Sequence, residues 1–340
     1  MKLRRLGKSD MEVSPVILGT WALGGWLWGG TERNNAEQAI RASIDSGINC
    51  IDTAPVYGFG LSEELVGKSI RHNRNRLLIA TKCGLVWDDR KGSTAFFESM
   101  DLNGKPIKVK RCLRKESIIR ECDESLKRLG IDVIDLYQCQ WPDPATPIEE
   151  TVEAFSVLKD KGKIRACGVS NFSVSQMEEW QKYMPLTSDQ PKYSLLSRDI
   201  ENDILPFCKK SNIGVICYSP MEMGLLAGKI GMDKVFPDND TRKNRPWFQL
   251  NKRQEVLDAL EQIKPIADKY NTSLGNIAIA WTFHQASITS AIVGARDGEQ
   301  AKINATTADI SLSDEDHYNI RIAFSSLKLD EPYDPATAKR

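Results

Sequence analysis

Short apolar runs rich in β-branched residues alternate along this chain with longer segments whose apolar positions recur at helical spacing. Eight runs read as strands: 16–19 (VILG), 48–52 (INCID), 77–81 (LLIAT), 133–138 (VIDLYQ), 166–169 (ACGV), 187–190 (TSDQ), 214–218 (GVICY) and 290–293 (SAIV). Between them, 35–46 carries Ala36, Ala39, Ile40, Ser43 and Ile44 on one helical face, and 115–129 does the same with Ile118, Ile119, Cys122, Leu126 and Leu129. Gly47 and Gly130 stand where helix C-caps belong. Thr146, Pro147 and Glu149 read as cap, first-turn proline and capping-box acid of a helix over 147–161, and Ser173 with Gln176 reads as a second box.

Eight alternations of strand and helix, with no break in composition between halves, predict a (β/α)8 TIM barrel rather than two doubly wound units. The expected layout is one barrel domain over 1–340. Residues 1–15, with a polar turn at Gly7-Lys8-Ser9-Asp10, form a hairpin over the barrel floor; 16–307 form the barrel; 308–340 form a C-terminal helix and tail. Three stretches exceed what a barrel needs, 86–112, 221–250 and the tail beyond 308, and loops of that length are usually functional or disordered.

Composition narrows the class. A chain of 340 residues fits one barrel with insertions, and its 46 Lys+Arg balance its 46 Asp+Glu, which argues against a nucleic-acid partner. The eight cysteines form no C-x-x-C pair, and Cys50, Cys139, Cys167 and Cys217 lie inside apolar runs. They read as reduced core residues of a cytoplasmic protein rather than metal ligands or disulfides. The N-terminal MKLRRLGKSDMEVSP has no apolar signal core, and no stretch approaches the ~18 apolar residues of a membrane span.

In a (β/α)8 barrel the catalytic face is the C-terminal end of the strands, where Asp52, Lys82 and the loop carrying Tyr57 fall on neighbouring strands two and three. A phenol of pKa near 10 is a poor acid at neutral pH, but an adjacent ammonium favours the phenolate and lowers that value. Asp52 supplies the anion that the lysine needs. The trio reads as a tuned general acid; spacing alone leaves open an ordinary buried Asp–Lys pair beside a core tyrosine.

The segments GINCIDTAPVYGFGLSEELVGKSI, LLIATKCG, DVIDLYQCQWPDP, IRACGVSNF, GVICYSPMEMGLLAGK and SAIVGARDGEQAKIN together resemble the aldo-keto reductase superfamily, in particular its bacterial and potassium-channel β-subunit-like branches. The matching segments run in the family's order from Leu18 to about Asn304. The resemblance implies metal-free hydride transfer between a nicotinamide and a carbonyl carbon, with Tyr57 as proton donor, Lys82 as its partner and Asp52 as the anchor of Lys82. One position departs: YQCQWPDP puts Gln140 where the family usually has histidine, and His72, His284 and His317 fall in helix or tail segments. A glutamine amide donates a neutral hydrogen bond but cannot titrate. Natural variation with reduction intact, a cofactor-binding redox-sensing interaction module with slow turnover, and a substituted position all remain open, as does a cofactor-free isomerase built on Asp52 and Lys82.

At the end of the last strand, Asp297 is placed to cap the next helix, whose first amides form an anion site. Arg296 at that positive terminus is electrostatically disfavoured unless a phosphate lies beside it. The resemblance makes that phosphate the adenosine 2′-phosphate, with Gln300 and Asn304 toward the adenine end, and so favours NADPH over NADH. It also assigns Ser170, Asn171 and Gln190 to the nicotinamide carboxamide and Tyr218 to stacking on the ring. Ser219, Pro220, Met221, Gly224, Leu225, Gly228 and Lys229 follow as a pyrophosphate strap, Gly294 closes strand eight, and Thr20 and Trp21 meet the nicotinamide side. Arg242, in the basic stretch 231–249, reads either as part of a clamp over the pyrophosphate or as part of a solvated loop. Trp21, Trp28, Trp87 and Trp141, with Trp26 and Trp247, fall in loops around the barrel mouth and suit a small, partly apolar carbonyl: an aldehyde, ketone or open-chain sugar.

Overall fold

The computed structural model describes residues 1–30, 32–238 and 240–329; the expected tail beyond 329 lies outside the described residues. Eight strands, β1 (Val16–Gly19), β2 (Cys50–Asp52), β3 (Leu78–Cys83), β4 (Ile134–Cys139), β5 (Ile164–Ser170), β6 (Ser188–Gln190), β7 (Gly214–Tyr218) and β8 (Ile288–Gly294), pair in parallel in sequence order and close into a barrel. Each expected strand forms, with ends shifted by at most two residues. β3 runs past its expected end, so Lys82 lies inside the strand.

Helices α1 (Arg33–Asp45), α2 (Leu61–Ile70), α3 (Lys115–Leu129), α4 (Ile148–Asp160), α5 (Val174–Gln181), α6 (Ile204–Ser211), α7 (Leu250–Lys269), α8 (Leu274–His284), α9 (Gly298–Thr306) and α10 (Asp314–Ala323) surround it. α7 and α10 are additional to one helix per strand. Gly130 ends α3 in the left-handed conformation, and Ser173 and Gln176 exchange both capping-box bonds at the start of α5. The expected Thr146 cap does not form. Pro147 is the N-cap residue of α4, and the Thr146 hydroxyl donates to Asp143 at 2.7 Å instead.

Side chains alternate across a strand, and this period of two sorts the barrel into layers. Ile17, Cys50, Ala80, Leu136, Ala166, Ile216 and Ile292 fill its lower interior, and Leu6, Met11 and Val13 of the N-terminal hairpin (Arg4–Arg5 with Glu12–Val13) close the floor beneath them. Two residues farther along each strand, on the same inward face, stand Asp52, Lys82 and Gln138, and Gln190 joins them at the end of β6. The opposite alternation, including Leu18, Ile51, Ile79, Cys167 and Val293, packs against the helices. An apolar plug therefore ends in a polar layer at the C-terminal mouth.

The stretch 86–112, read above as an excess loop, is instead a three-stranded antiparallel sheet of Leu85–Val86, Thr94–Met100 and Pro106–Arg111. It stands beside the mouth, where Phe96 meets Trp141 and Phe97 stacks on Trp26. All eight cysteines are buried and none is disulfide-bonded. Among the described residues no helix is long and apolar enough to cross a membrane.

Asp189, on the outward face of β6, is fully buried, and neither oxygen has a side-chain partner among the described residues. Burial pushes its carboxyl up to about 8, with the backbone N–H of Gln190 offsetting only part. A carboxyl that keeps its proton to higher pH in the folded chain contributes stability that is complete below about pH 4 and is lost as pH rises through the folded value. Thermal melts across this range are expected to give a Tm–pH slope that is more negative in the unaltered chain than in Asp189→Asn. Equal slopes would contradict the assignment.

Candidate active site

Asp52 ends β2, Lys82 lies on the adjacent β3, and both point to the barrel axis, so Lys82 Nζ meets Asp52 Oδ1 at 2.5 Å. The same ammonium donates to the Thr53 carbonyl at 3.0 Å and to the Tyr57 hydroxyl at 3.3 Å. The second Asp52 oxygen accepts from Gln190 Nε2 at 2.7 Å and, more weakly, from Gln138 Nε2 at 3.4 Å. The ammonium thus donates to three oxygens, and the carboxylate uses both of its own.

Tyr57 is carried by the turn that follows β2. A Cβ on Gly58 would lie 2.3 Å from the Gly24 carbonyl oxygen, and one on Gly24 would lie 2.7 Å from the Tyr57 backbone. These two glycines let the chain segments touch, which seats the phenol over Lys82 with Trp21 stacked on it, ring centroids 6.3 Å apart.

Burial is the largest influence on the Tyr57 phenol and raises it; Lys82 pulls it down, Asp52 pushes it up, and the net direction is upward. The expected net lowering by Lys82 does not occur, because desolvation of the phenolate outweighs the ammonium. Burial lowers Lys82, but the carboxylate of Asp52, the Tyr57 oxygen and their hydrogen bonds outweigh it and leave the ammonium favoured. At neutral pH the pair is a protonated phenol beside an ammonium.

Gln140 follows β4. Its backbone N–H donates to the Cys83 carbonyl at 2.9 Å and its carbonyl accepts from Asn171 Nδ2 at 3.0 Å, while its side-chain amide has no hydrogen bond among the described residues. Gln140 lines the same cavity, of about 490 Å³, as Asp52, Tyr57 and Lys82, and none of the three histidines reaches it. Trp21, Trp26, Trp28, Trp141 and Trp247 line it too. Trp87 does not; it packs behind the wall against Phe59, centroids 5.3 Å apart.

Thr20, Ser170, Asn171, Gln190 and Tyr218 line the cavity from the strand ends. Their polar atoms are partly engaged by the protein: the Thr20 hydroxyl donates to the Asp52 carbonyl at 3.0 Å, and Asn171 Oδ1 accepts from the Tyr218 hydroxyl at 2.9 Å. Ser219, Pro220, Met221, Gly224 and Lys229 contribute after β7, and Gly294, Arg296, Gln300 and Asn304 contribute after β8. Leu225 and Gly228 do not. The Leu225 side chain is fully buried in the core, and Gly228, which follows Ala227, is in the left-handed conformation, where a Cβ would face Leu274. Asp297 caps α9 through the backbone N–H of Gln300 at 2.8 Å, whose side chain in turn accepts from the Arg296 N–H at 3.0 Å.

Arg242 is held by Asp240 at 2.6 Å and lies over the Trp28 ring at 5.1 Å. Trp28 and Asp240 form an antiparallel bridge, so the basic stretch is tied to the loop after β1. Arg245 of the same basic stretch lines the cavity with Arg242, and so do Lys192, Glu222, Phe248, Ser273 and Asn276, which were not expected there. Lys192, two residues beyond the end of β6, was recoverable from its strand-end position; Ser273 and Asn276 at the start of α8 carried no such signal.

The donor set fits a dinucleotide with phosphates: the lining combines Lys229, Arg242, Arg245 and Arg296 from the segments after β7 and β8, the carboxamides of Gln140, Asn171 and Gln190 from the ends of β4, β5 and β6, and the Tyr57–Lys82 pair. The sequence matches the model of the family described as "Aldo/keto reductase family" over residues 15–323. It is 38% identical to the aldo-keto reductase YhdN of Bacillus subtilis, covering 98% of this chain and 97% of that one. It is 40% identical to the NADH-specific methylglyoxal reductase of Escherichia coli, covering 93% and 96%. A glycerol dehydrogenase structure from Gluconobacter oxydans superposes with a TM-score of 0.85 at 39% identity, covering 98% of each chain.

The upward direction for Tyr57 has an optical consequence. In a tyrosinate absorbance titration, no ionisation that disappears in Tyr57→Phe is expected below about pH 10, the ordinary phenol value. Lys82→Met, which removes the group that pulls the phenol down, is expected to move the Tyr57 ionisation farther up. A Tyr57-dependent step near neutrality would contradict the balance.

Proposed function

This chain belongs to the aldo/keto reductase family, and we propose that it reduces small aldehydes, ketones or open-chain sugars to alcohols with NADPH, Tyr57 giving the proton. The observation that carries this reading is the Tyr57 hydroxyl 3.3 Å from Lys82 Nζ, in a cavity that also holds the Gln140 amide, unpaired among the described residues. Relatives named for methylglyoxal and glycerol favour a short carbonyl compound with a second oxygen.

When bound, the nicotinamide cofactor supplies the hydride to the carbonyl carbon. Ser170, Asn171 and Gln190 would hold its carboxamide, Tyr218 its ring, Ser219, Pro220, Met221 and Gly224 with Lys229 and Arg242 its phosphates, and Arg296, Gln300 and Asn304 its adenosine end. The substrate oxygen accepts hydrogen bonds from the Tyr57 hydroxyl and the Gln140 amide. As negative charge develops on that oxygen, the Tyr57 proton moves to it. The phenolate left behind is stabilised by the Lys82 ammonium, which Asp52 keeps charged. Gln140 orients and polarises the carbonyl without exchanging a proton, and the tryptophan walls exclude water, strengthening each of these interactions.

NADPH is preferred through Arg296, an exposed cation beside the α9 N-terminus with no ion pair among the described residues, although the E. coli relative is named NADH-specific. Arg296→Ala is expected to lower kcat/KM for NADPH about tenfold, ~1.4 kcal/mol, and to leave NADH nearly unaffected; equal loss with both would remove the 2′-phosphate contact.

Steady-state NADPH oxidation with methylglyoxal and glyceraldehyde tests the reaction itself. Tyr57→Phe is expected to abolish most turnover while fluorescence titration still reports NADPH binding. Gln140→Leu, which keeps the volume but removes the donor, is expected to lower kcat by about 10²-fold, the scale for losing one donor to a developing oxyanion. Full activity in Tyr57→Phe would overturn the proton-donor role.

A further inference from the structure

After β7 the chain crosses the basic side of the cavity in a conformation that its sequence does not favour. Glu222 (φ 44°), Met223 (φ 53°) and Gly224 (φ 93°) are successive left-handed residues, preceded by Ser219 at φ 58°. Left-handed backbone crowds the Cβ of an L residue against its own carbonyl, so two non-glycine residues in succession persist only where the surroundings hold them.

The Glu222 side chain provides the hold. It is almost fully buried, Oε1 accepts from the Ser194 hydroxyl at 2.6 Å and the Ser197 hydroxyl at 2.8 Å, and Oε2 meets Lys192 Nζ at 3.0 Å. Ser194 and Ser197 are fixed in turn by two mutual backbone hydrogen bonds, at 3.1 and 3.3 Å. One carboxylate therefore ties the loop after β7 to the loop after β6. A negative group beside a wall lined by Lys229, Arg242 and Arg245 works against an anionic ligand, and its pairing with Lys192 at 3.0 Å offsets that penalty while leaving the tie intact.

We propose that Glu222 is a positioning residue for phosphate binding: by clamping onto Ser194, Ser197 and Lys192 it sets the left-handed turn whose backbone forms the wall against which the cofactor phosphates lie. The inference rests on the cofactor reading given above and adds a residue to it. Glu222 touches no reacting atom, so its removal is felt in affinity before turnover.

The test is fluorescence titration of NADPH, alongside kcat at saturating cofactor, for the unaltered chain, Glu222→Gln, Glu222→Ala and Glu222→Gly. Alanine removes the clamp and keeps the strained backbone; glycine removes the clamp and relieves the strain; glutamine keeps an acceptor oxygen for both serines. Alanine and glycine are each expected to weaken NADPH binding by about tenfold or more, ~1.4 kcal/mol, with a smaller loss in kcat. Glutamine is expected to recover most of that affinity. Binding in Glu222→Gly as tight as in the unaltered chain would show the clamp dispensable and overturn the proposal, as would a loss confined to kcat. Failure of the unaltered chain to bind NADPH would overturn the cofactor reading itself, a result distinct from either.

Discussion

The ion pair of Lys82 and Asp52, buried at the top of the barrel, is the contact on which the site is built. Removing two charges from water costs several kcal/mol per ion, and their attraction offsets that only where geometry is tight and the remaining lone pairs and protons are used. Both conditions hold: the pair meets at 2.5 Å, Thr53 and Tyr57 take the other ammonium protons, and Gln138 and Gln190 occupy the far carboxylate oxygen. A pair so fully enclosed is poor evidence of stability. Its use is to keep a fixed positive charge beside a phenol in a dry place.

That placement follows from the barrel's period of two. The apolar layer through Cys50, Ala80 and Leu136 is succeeded, two residues on, by Asp52, Lys82 and Gln138. A one-residue slip in any of these strands would turn the charged group outward among the helices. Tyr57 depends on a second constraint, the contact of Gly24 with Gly58, and the small residues there serve the site more than the fold. Around this centre the antiparallel sheet of Thr94–Met100 and Pro106–Arg111 supplies Phe96 and Phe97 to the aromatic wall.

The barrel was legible because its strands are short, apolar and regularly spaced, and even TSDQ at 187–190 forms a strand although its hydrophobicity is low. The sheet over 85–111 was missed although a hairpin signal was present: Ile107 and Val109 alternate with lysines, and the turn at Asp101–Lys105 contains Asn103-Gly104 with Gly104 left-handed. Strand-end residues of the site were readable by position, since the barrel brings those ends together. Leu225 and Gly228 were not, because they lie in a turn whose backbone decides which side chains face the cavity, and the left-handed run at Glu222 and Met223 has no signature in SPMEMG. The direction of the Tyr57 shift also needed the fold, since it is burial rather than neighbours that decides it.

The proposed reaction stands on proton delivery by Tyr57 with Gln140 as a neutral donor. The pH dependence of kcat/KM for carbonyl reduction, measured on the unaltered chain and on Gln140→His, tests it most directly. The expected profile has no ionisation near pH 6.5 in the unaltered chain and gains one there in Gln140→His, the ordinary histidine pKa being about 6.5. An ionisation near that value in the unaltered chain that vanishes in other Gln140 variants would contradict the neutral-donor role.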